Sequence, residues 1–490
     1  MRRATRLTAL FIVVLMVLSL HINVLAQEQV LPSVPAAEQP SSWATEGVQW
    51  TGIYKLANQD MFTKYTSKVT REELYAVCVN MYERMSGKAI TPIEKSPFSD
   101  ATSTAVLKAC AANILSGSGK FEPQKEATRL DMVTGVYNAI KAAQPNFNYK
   151  VNMNLAFKDA SKIPQGSMDV VKYAVSKGIL NGRSNDALDL DSSCTRQELM
   201  VFVKSAYEFA IYEAGKDAKG AFWKVSDEDS TVYLLGSVHV ADPSMYPLSK
   251  DILSAYEESD ALAVEADIAN QQEGILYMQQ KMMYADDNTL DKNVPKEVYD
   301  RFVEAIKPSG IPAETYNKFK PWAAAMIVQQ LNFAEASYDA TLGIDLFFLT
   351  KATGKKNILE IEGIKFQVDM FDSFSKELQE NFLEGSLETD DGAQEEANKV
   401  FDELIGYWKT GNMVELEKLV KSDENDVEEL KEFNEKMWES RDTNMAKQVE
   451  KYLADPEKKT YFVVVGAGHM VGKTGIVAQL KDEYKIEQVK

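Results

Sequence analysis

YLLGSVHV (233–240) and FVVVGAGHM (462–470) are the two stretches that decide how this 490-residue chain is read. Each is a near-continuous apolar run, the pattern of a strand buried on both faces. Each ends in a glycine followed three residues later by a histidine: Gly236-Ser237-Val238-His239 and Gly466-Ala467-Gly468-His469. The whole chain has three histidines, and the third, His21, lies in an N-terminal stretch with the features of a cleaved leader. A processed chain would keep two histidines, both in this one context. Glycine allows a tight turn at the strand end, and imidazole is both a neutral metal ligand and an acid–base group.

Working outward from these runs, FWKVSDEDSTVYLLGSVHV reads as two strands around an acidic turn. LSKDILSAYEESD (248–260) is helical, and ALAVEAD (261–267) is a buried strand ending at Glu265 and Asp267. Residues 270–340 read as mainly helical, interrupted by Pro295, Pro308, Pro312 and Pro321. Gly343-Ile344-Asp345 opens the helix DLFFLTKATG, and NILEIEG leads to a strand end carrying Glu360 and Glu362. An acidic helical region (375–455), a strand through GAGHM, the helix GIVAQLKDEY and a closing IEQV complete the series. Buried strands alternating with helices predict an α/β domain over 218–490, with a mostly buried mixed sheet and a helical insertion. Its strand ends carry His239, Glu265, Glu362 and His469, where open sheets commonly build their sites. Two imidazoles with one or two carboxylates can hold a divalent ion (manganese, cobalt or zinc) and leave a position for water. That ion would acidify the water and polarise a carbonyl, as a hydrolase requires. Glu265 and Glu362 are the carboxylate candidates, with Asp267 and Glu360 behind them, and either could instead be the general base.

The beginning of the chain reads differently. Arg2, Arg3 and Arg6, the apolar run 7–20 and Val24-Leu25-Ala26 form a signal-peptide pattern over 1–26. Residues 27–47, rich in Pro, Gln, Ser and Ala, read as a linker. Three helices then open alike, at Thr70-Arg71-Glu72-Glu73, Thr128-Arg129-Leu130-Asp131 and Thr195-Arg196-Gln197-Glu198. Phe98-Ser99-Asp100 and Phe157-Lys158-Asp159 begin the units upstream of the second and third, an internal repeat over 48–212. No later stretch reaches a transmembrane length. The formal charge is −19, and −22 once the three leader arginines are removed, so nucleic acid is not an expected partner. Cys78, Cys110 and Cys194 do not form a disulfide framework and read as small buried side chains.

The Phe-x-Asp starts, the GI-x-x-G turn and the TRxE helix openings resemble three S-layer homology (SLH) repeats, the first degenerate. That resemblance implies an all-α, trefoil-like module that binds the secondary polymer of a bacterial cell wall, and a secreted protein held at the cell surface. It nominates Arg71, Arg129 and Arg196 as polymer-binding residues, since a guanidinium suits a carboxylate-bearing sugar. Packing between repeats is the alternative role for each arginine.

VYLLGSVHV, LAVEAD, GIDLFFLTKATGKKNILEIEGIKFQ, ESRDTNMAKQV and FVVVGAGHMVGKTGIVAQLKDEYKIEQV resemble, in that order, the TraB/GumN family, which includes the Tiki metalloproteases. The resemblance implies metal-dependent peptidase chemistry on a peptide or protein substrate. It sets His239 and His469 as metal ligands with nearby acids, and Arg441 near the site to hold a substrate carboxylate or an oxyanion. A non-catalytic binding module for a signalling peptide or other ligand is the alternative, and a purely structural coat protein a third. VGKT (471–474) lacks the glycine spacing of a phosphate loop, and the acidic runs 388–396 and 422–429 lack that of a calcium loop.

Overall fold

The computed structural model describes residues 38–183, 185–269, 272–334, 338–387, 391–421 and 428–489. The expected signal peptide, and the linker up to residue 37, lie outside the described residues. The chain forms two compact units that divide between Asp217 and Ala218.

The elements of the first unit are helices and 3-10 turns joined by isolated bridges. Helices Arg71–Ser86, Arg129–Ala143 and Arg196–Glu213 each begin with a reciprocal capping box. The threonine side chain accepts from the N–H three residues on, and the acid there accepts from the threonine N–H. The recurring TRxE signature is therefore first a device for starting a helix. Just upstream, the repeats close a ring of backbone hydrogen bonds. Val69 N–H donates to the Cys194 carbonyl (2.9 Å), Cys194 N–H to Ala127 (3.1 Å) and Ala127 N–H to Val69 (2.8 Å).

The Phe-x-Asp starts are structural as well. Asp100 accepts from the N–H groups of Phe121 (2.7 Å) and Glu122 (3.0 Å), and Asp159 from those of Leu188 (2.9 Å) and Asp189 (2.8 Å). Phe157 lies against Gly182, where a Cβ would stand 2.6 Å from its ring, so the glycine of GI-x-x-G makes room for the phenylalanine. All three cysteines are free. One boundary moves: helix Thr45–Ile53 begins inside the expected linker. Ser41 N–H donates to Gln197 Oε1 (3.0 Å), and Gly47 packs where a Cβ would meet Val201 at 2.6 Å, so close packing starts before residue 48.

The second unit is built on a six-stranded sheet of β1 (Ala221–Ser226), β2 (Thr231–Ser237), β3 (Ala261–Val264), β4 (Asn357–Glu360), β5 (Tyr461–Gly466) and β6 (Lys485–Gln488), in the order β4-β3-β5-β2-β1-β6. β4, β3, β5 and β2 are parallel, and β1 is antiparallel to β2 and β6. The expected mixed sheet is present, and helical segments occupy both long connections, from β3 to β4 and from β4 to β5. Apolar residues on both faces of the central strands, such as Leu234, Leu235, Leu262 and Val463, are fully buried. Helix Asp391–Thr410 is fastened to the sheet by Trp408, whose indole N–H donates to the Gly236 carbonyl at 2.6 Å.

β2 and β5 are neighbours despite more than 200 residues of intervening sequence. Their register pairs Gly236 with Val465 and Ser237 with Gly466, so both Gly-x-x-His segments leave the sheet side by side. β5 stops at Gly466, earlier than the sequence suggested, and Ala467–Met470 forms one helical turn. Gly236 is required there, because a Cβ would lie 2.7 Å from Ala467 Cα.

The loop carboxylates give a pH signature. Burial raises the Asp159 carboxyl, but the two N–H donors outweigh it and hold the group below its usual range; for Asp100 the Phe121 N–H is the leading cause of the same shift. A carboxyl lowered on folding stabilises above its unfolded value and loses that contribution as acid protonates the folded form. Asp159→Ala should therefore lower the melting temperature of the full chain at pH 7. The deficit should shrink below about pH 3, checked by thermal melts across the acid range.

Candidate active site

The two imidazoles are each fixed through Nδ1 by a buried carboxylate. His239 Nδ1 lies 2.5 Å from Asp345 Oδ2, and His469 Nδ1 lies 2.6 Å from Asp442 Oδ1. Asp345 reaches its place because the turn before helix Ile344–Ala352 docks on the first Gly-x-x-His loop. Ile344 N–H donates to the Val238 carbonyl (3.1 Å), and a Cβ on Gly343 would stand 2.5 Å from the His239 carbonyl. Asp442 sits in the first turn of helix Ser440–Leu453. Its Oδ2 accepts from Lys421 Nζ (2.7 Å) and Thr474 Oγ1 (3.1 Å). The threonine of VGKT thus braces Asp442, and Gly472 gives Lys421 passage, since a Cβ there would lie 2.6 Å from the lysine stem. Trp438 packs edge-on to His469 (5.1 Å between centroids), against Gly468, where a Cβ would be 2.7 Å away.

Between the imidazoles runs a buried ionic cluster. Arg441 Nε donates to Glu362 Oε1 (2.9 Å), and Arg441 Nη2 donates to Glu362 Oε2 and Glu265 Oε2 (2.8 Å each). Gln367 Nε2 adds a bond to Glu265 Oε2 (3.1 Å), and Gly466 N–H donates to Glu265 Oε1 (2.5 Å). Arg441 and Asp442 are fully buried, and His239, Glu265, Asp345, Gln367 and His469 nearly so. Of the less favoured acids, Glu360 accepts from the Asp267 N–H (2.8 Å) on an exposed edge, outside this cluster.

Electrostatics follow from this packing. Burial raises the Glu265 carboxyl, yet Arg441, His469, His239 and the Gly466 N–H together bring it to about 2. Burial pulls His239 down, but Asp345 and then Glu265 outweigh it, so the ring holds its proton more tightly than a free histidine. Burial is the main cause of the lowered Lys421, offset in part by Asp442. Four carboxylates (Glu265, Glu362, Asp345, Asp442) face the guanidinium of Arg441 and the ammonium of Lys421. With neutral imidazoles the cluster carries two uncompensated negative charges, a costly arrangement in a buried site.

Among the described residues, no group of three or more His, Cys, Asp or Glu side chains is arranged as it stands to hold a metal ion. Part of the donor set has the chemistry of ligands. His239 Nε2 is buried without a partner, and His469 Nε2 lies 3.9 Å from Glu265 Oε1. A carboxylate on the far nitrogen is the support that ligand imidazoles commonly have. Glu362 is less suited, since both of its oxygens accept from the Arg441 fork. Arg441 is largely committed: Nε and Nη2 serve the glutamates, and one Nη1 contact goes to Met437 Sδ at 3.1 Å. It positions acids here rather than offering a free fork to a substrate. Asp345, Gln367, Lys421 and Asp442 join the site in the structure without a sequence signal that sets them apart as site residues.

The three repeat arginines lie between repeats. Arg71 stacks on Phe121 (4.8 Å to the centroid), and Arg129 donates to the Leu188 (3.0 Å) and Asn181 (3.3 Å) carbonyls. Arg196 donates to the Asp60 (3.2 Å) and Thr63 (3.0 Å) carbonyls and pairs with Glu73.

Removing Arg441 leaves two buried carboxylates unpaired. Arg441→Met should cost about 3–5 kcal/mol in denaturant unfolding. Adding Glu265→Gln and Glu362→Gln to the same chain should recover much of that loss.

A family model described as TraB/PrgY/gumN matches residues 221–488, and an S-layer homology domain model matches 156–199. The chain is 25% identical over 139 residues to uncharacterized protein YbaP of Escherichia coli (strain K12), covering 28% of this chain and 50% of that one. It has the same likeness to YbaP of Shigella flexneri, and is 20% identical over 167 residues to an uncharacterized protein of Treponema pallidum (33% and 49% covered). The chain spans about half the length of these curated relatives. The first match covers more than half of the chain, from β1 to β6, and takes in both Gly-x-x-His segments and the Arg441 cluster: the protein belongs to the TraB/PrgY/gumN family and carries an S-layer homology domain ahead of that region.

Proposed function

We propose that this is an exported protein held at the cell wall, whose C-terminal domain is a metal-dependent hydrolase of the peptidase type. One observation carries the reading: two imidazoles at adjacent strand ends, each with Nδ1 against a buried carboxylate, in a cluster whose charge is short of two positive units. His239 and His469, through Nε2, and Glu265 would hold the ion. Bound there, it would acidify a water and polarise a carbonyl. Asp345 and Asp442 keep the imidazoles turned with Nε2 inward. Glu265, ionised throughout the neutral range, is a weak base and acts as ligand and counter-charge. Proton acceptance falls to Glu362, which Arg441 holds in place. The second reading, a non-catalytic binding module, is favoured by the same fork, because Arg441 occupies both candidate bases.

The N-terminal repeats, in the proposal, form a trefoil-like module that binds the secondary wall polymer, and residues 1–26 direct export. The S-layer homology match and the ring joining Val69, Ala127 and Cys194 support this. Arg71, whose guanidinium stacks on Phe121 and lies 4.0 Å from Glu122, is less committed to hydrogen bonds than Arg129, which donates to two carbonyls.

The chain without its leader, purified without chelators or polyhistidine tags and offered manganese, cobalt and zinc separately, should carry about one ion. Folded His239→Ala and His469→Ala variants should lose it, and a peptide library with that metal should show turnover. Metal without turnover would favour the binding module, and no metal in any condition removes the mechanism. The same chain should sediment with purified wall sacculi, and stripping the secondary polymer should abolish this.

A further inference from the structure

One polar side chain in the site has no task in the account so far. Ser237, the residue after the first glycine, is fully buried, and its hydroxyl has no hydrogen-bond partner among the described residues. A buried hydroxyl left unpaired costs about 1–3 kcal/mol, so its presence calls for a reason.

Its direction is set by the sheet. Ser237 is in register with Gly466 on the neighbouring parallel strand, so the two residues project to the same face. That face is the one bearing the site: a Cβ built on Gly466 would stand 3.2 Å from Glu265 Oε1 and 3.5 Å from His469 Cδ2. Gly466 has no side chain, which lets Glu265 and His469 pack against the backbone at the position level with the serine. Two further buried atoms at this edge of the sheet are also without partners, His239 Nε2 and Asp345 Oδ1. Ser237 ends β2 two residues before His239, and Asp345 holds the His239 ring. Unpaired polar atoms thus gather beside the cluster, while the Nε and Nη2 donors of Arg441 are taken by the two glutamates. The cluster offers bound material two imidazole nitrogens and one hydroxyl.

We propose that Ser237 is a binding residue of this site, its hydroxyl donating to an oxygen of the bound substrate. This rests on the hydrolase reading, in which that oxygen is the carbonyl of the scissile bond. A donor aimed where negative charge develops acts more strongly on the transition state than on the ground state. No covalent step is involved, and the serine keeps its proton.

The serine should then cost the empty protein stability and contribute to turnover. Ser237→Ala, made in the full chain without its leader, should melt at or above the wild-type temperature with its metal content unchanged. Its kcat/KM on the best library peptide should fall about ten- to a hundredfold, mostly in kcat, and Ser237→Thr, which restores a hydroxyl, should recover most of it. A crystal structure of the wild-type chain should show solvent or ligand within hydrogen-bond distance of Ser237 Oγ. A lower melting temperature with unchanged kcat/KM would overturn the proposal in favour of a packing role. So would a dry, unpaired Oγ in that crystal. If no peptide is turned over by the wild-type chain, the hydrolase reading fails, and melting and Oγ occupancy still decide whether Ser237 is a binding group.

Discussion

The C-terminal domain depends on one guanidinium buried between two carboxylates. Arg441 joins three pieces of chain far apart in sequence: the end of β3 through Glu265, the segment after β4 through Glu362, and the helix that carries Arg441 and Asp442. Without it the ends of the parallel strands would bring like charges together in a medium that screens them poorly. With it, Glu265 stays ionised, Gly466 is tied to β3 through that carboxylate, and the second Gly-x-x-His segment starts from a fixed point. The helix also delivers Asp442 to His469, so the residue that neutralises the acids and the one that orients an imidazole are neighbours on one turn.

The parts of this arrangement legible in the sequence were those with local signatures. The apolar runs marked β2 and β5 as buried strands, and the paired glycine–histidine endings linked them. Parallel adjacency of β2 and β5 then turned a coincidence of sequence into one of space. The carboxylates behind the histidines were not legible. Asp345 lies 106 residues from His239 and stands in the first turn of an apolar helix, where an acid is also an ordinary helix start. Its burial was the distinguishing property, and burial depends on how the insertion folds back. Lys421 and Gln367 carry no pattern, and Thr474 sat in a stretch weighed only as a phosphate loop. The edge strand β4 ended before Glu362, so that acid reaches the cluster from a loop.

In the repeats, the signature residues have structural duties first. The TRxE threonine and acid cap a helix, the Phe-x-Asp carboxylate ties down a loop, and the arginine spans to a neighbouring repeat. Ligand binding and packing are both open to these arginines from sequence, and the contacts within the protein show each one as a joint. Pro- and Ser-rich composition in 27–47 hides the few residues, among them Ser41 and Gly47, that dock on the third repeat helix.

The central claim is the proposal that two imidazoles, each held through Nδ1 by a buried carboxylate, present Nε2 to a divalent cation. Nitrogen-15 NMR of histidine-labelled protein without its leader tests this directly, since only His239 and His469 then report. Both rings should be neutral with the proton on Nδ1 at alkaline pH, with His239 protonating above the ordinary histidine range, and zinc should shift both Nε2 signals together at pH 7. A His239 ring that protonates in the ordinary range, with neither ring responding to zinc, manganese or cobalt, would contradict the account.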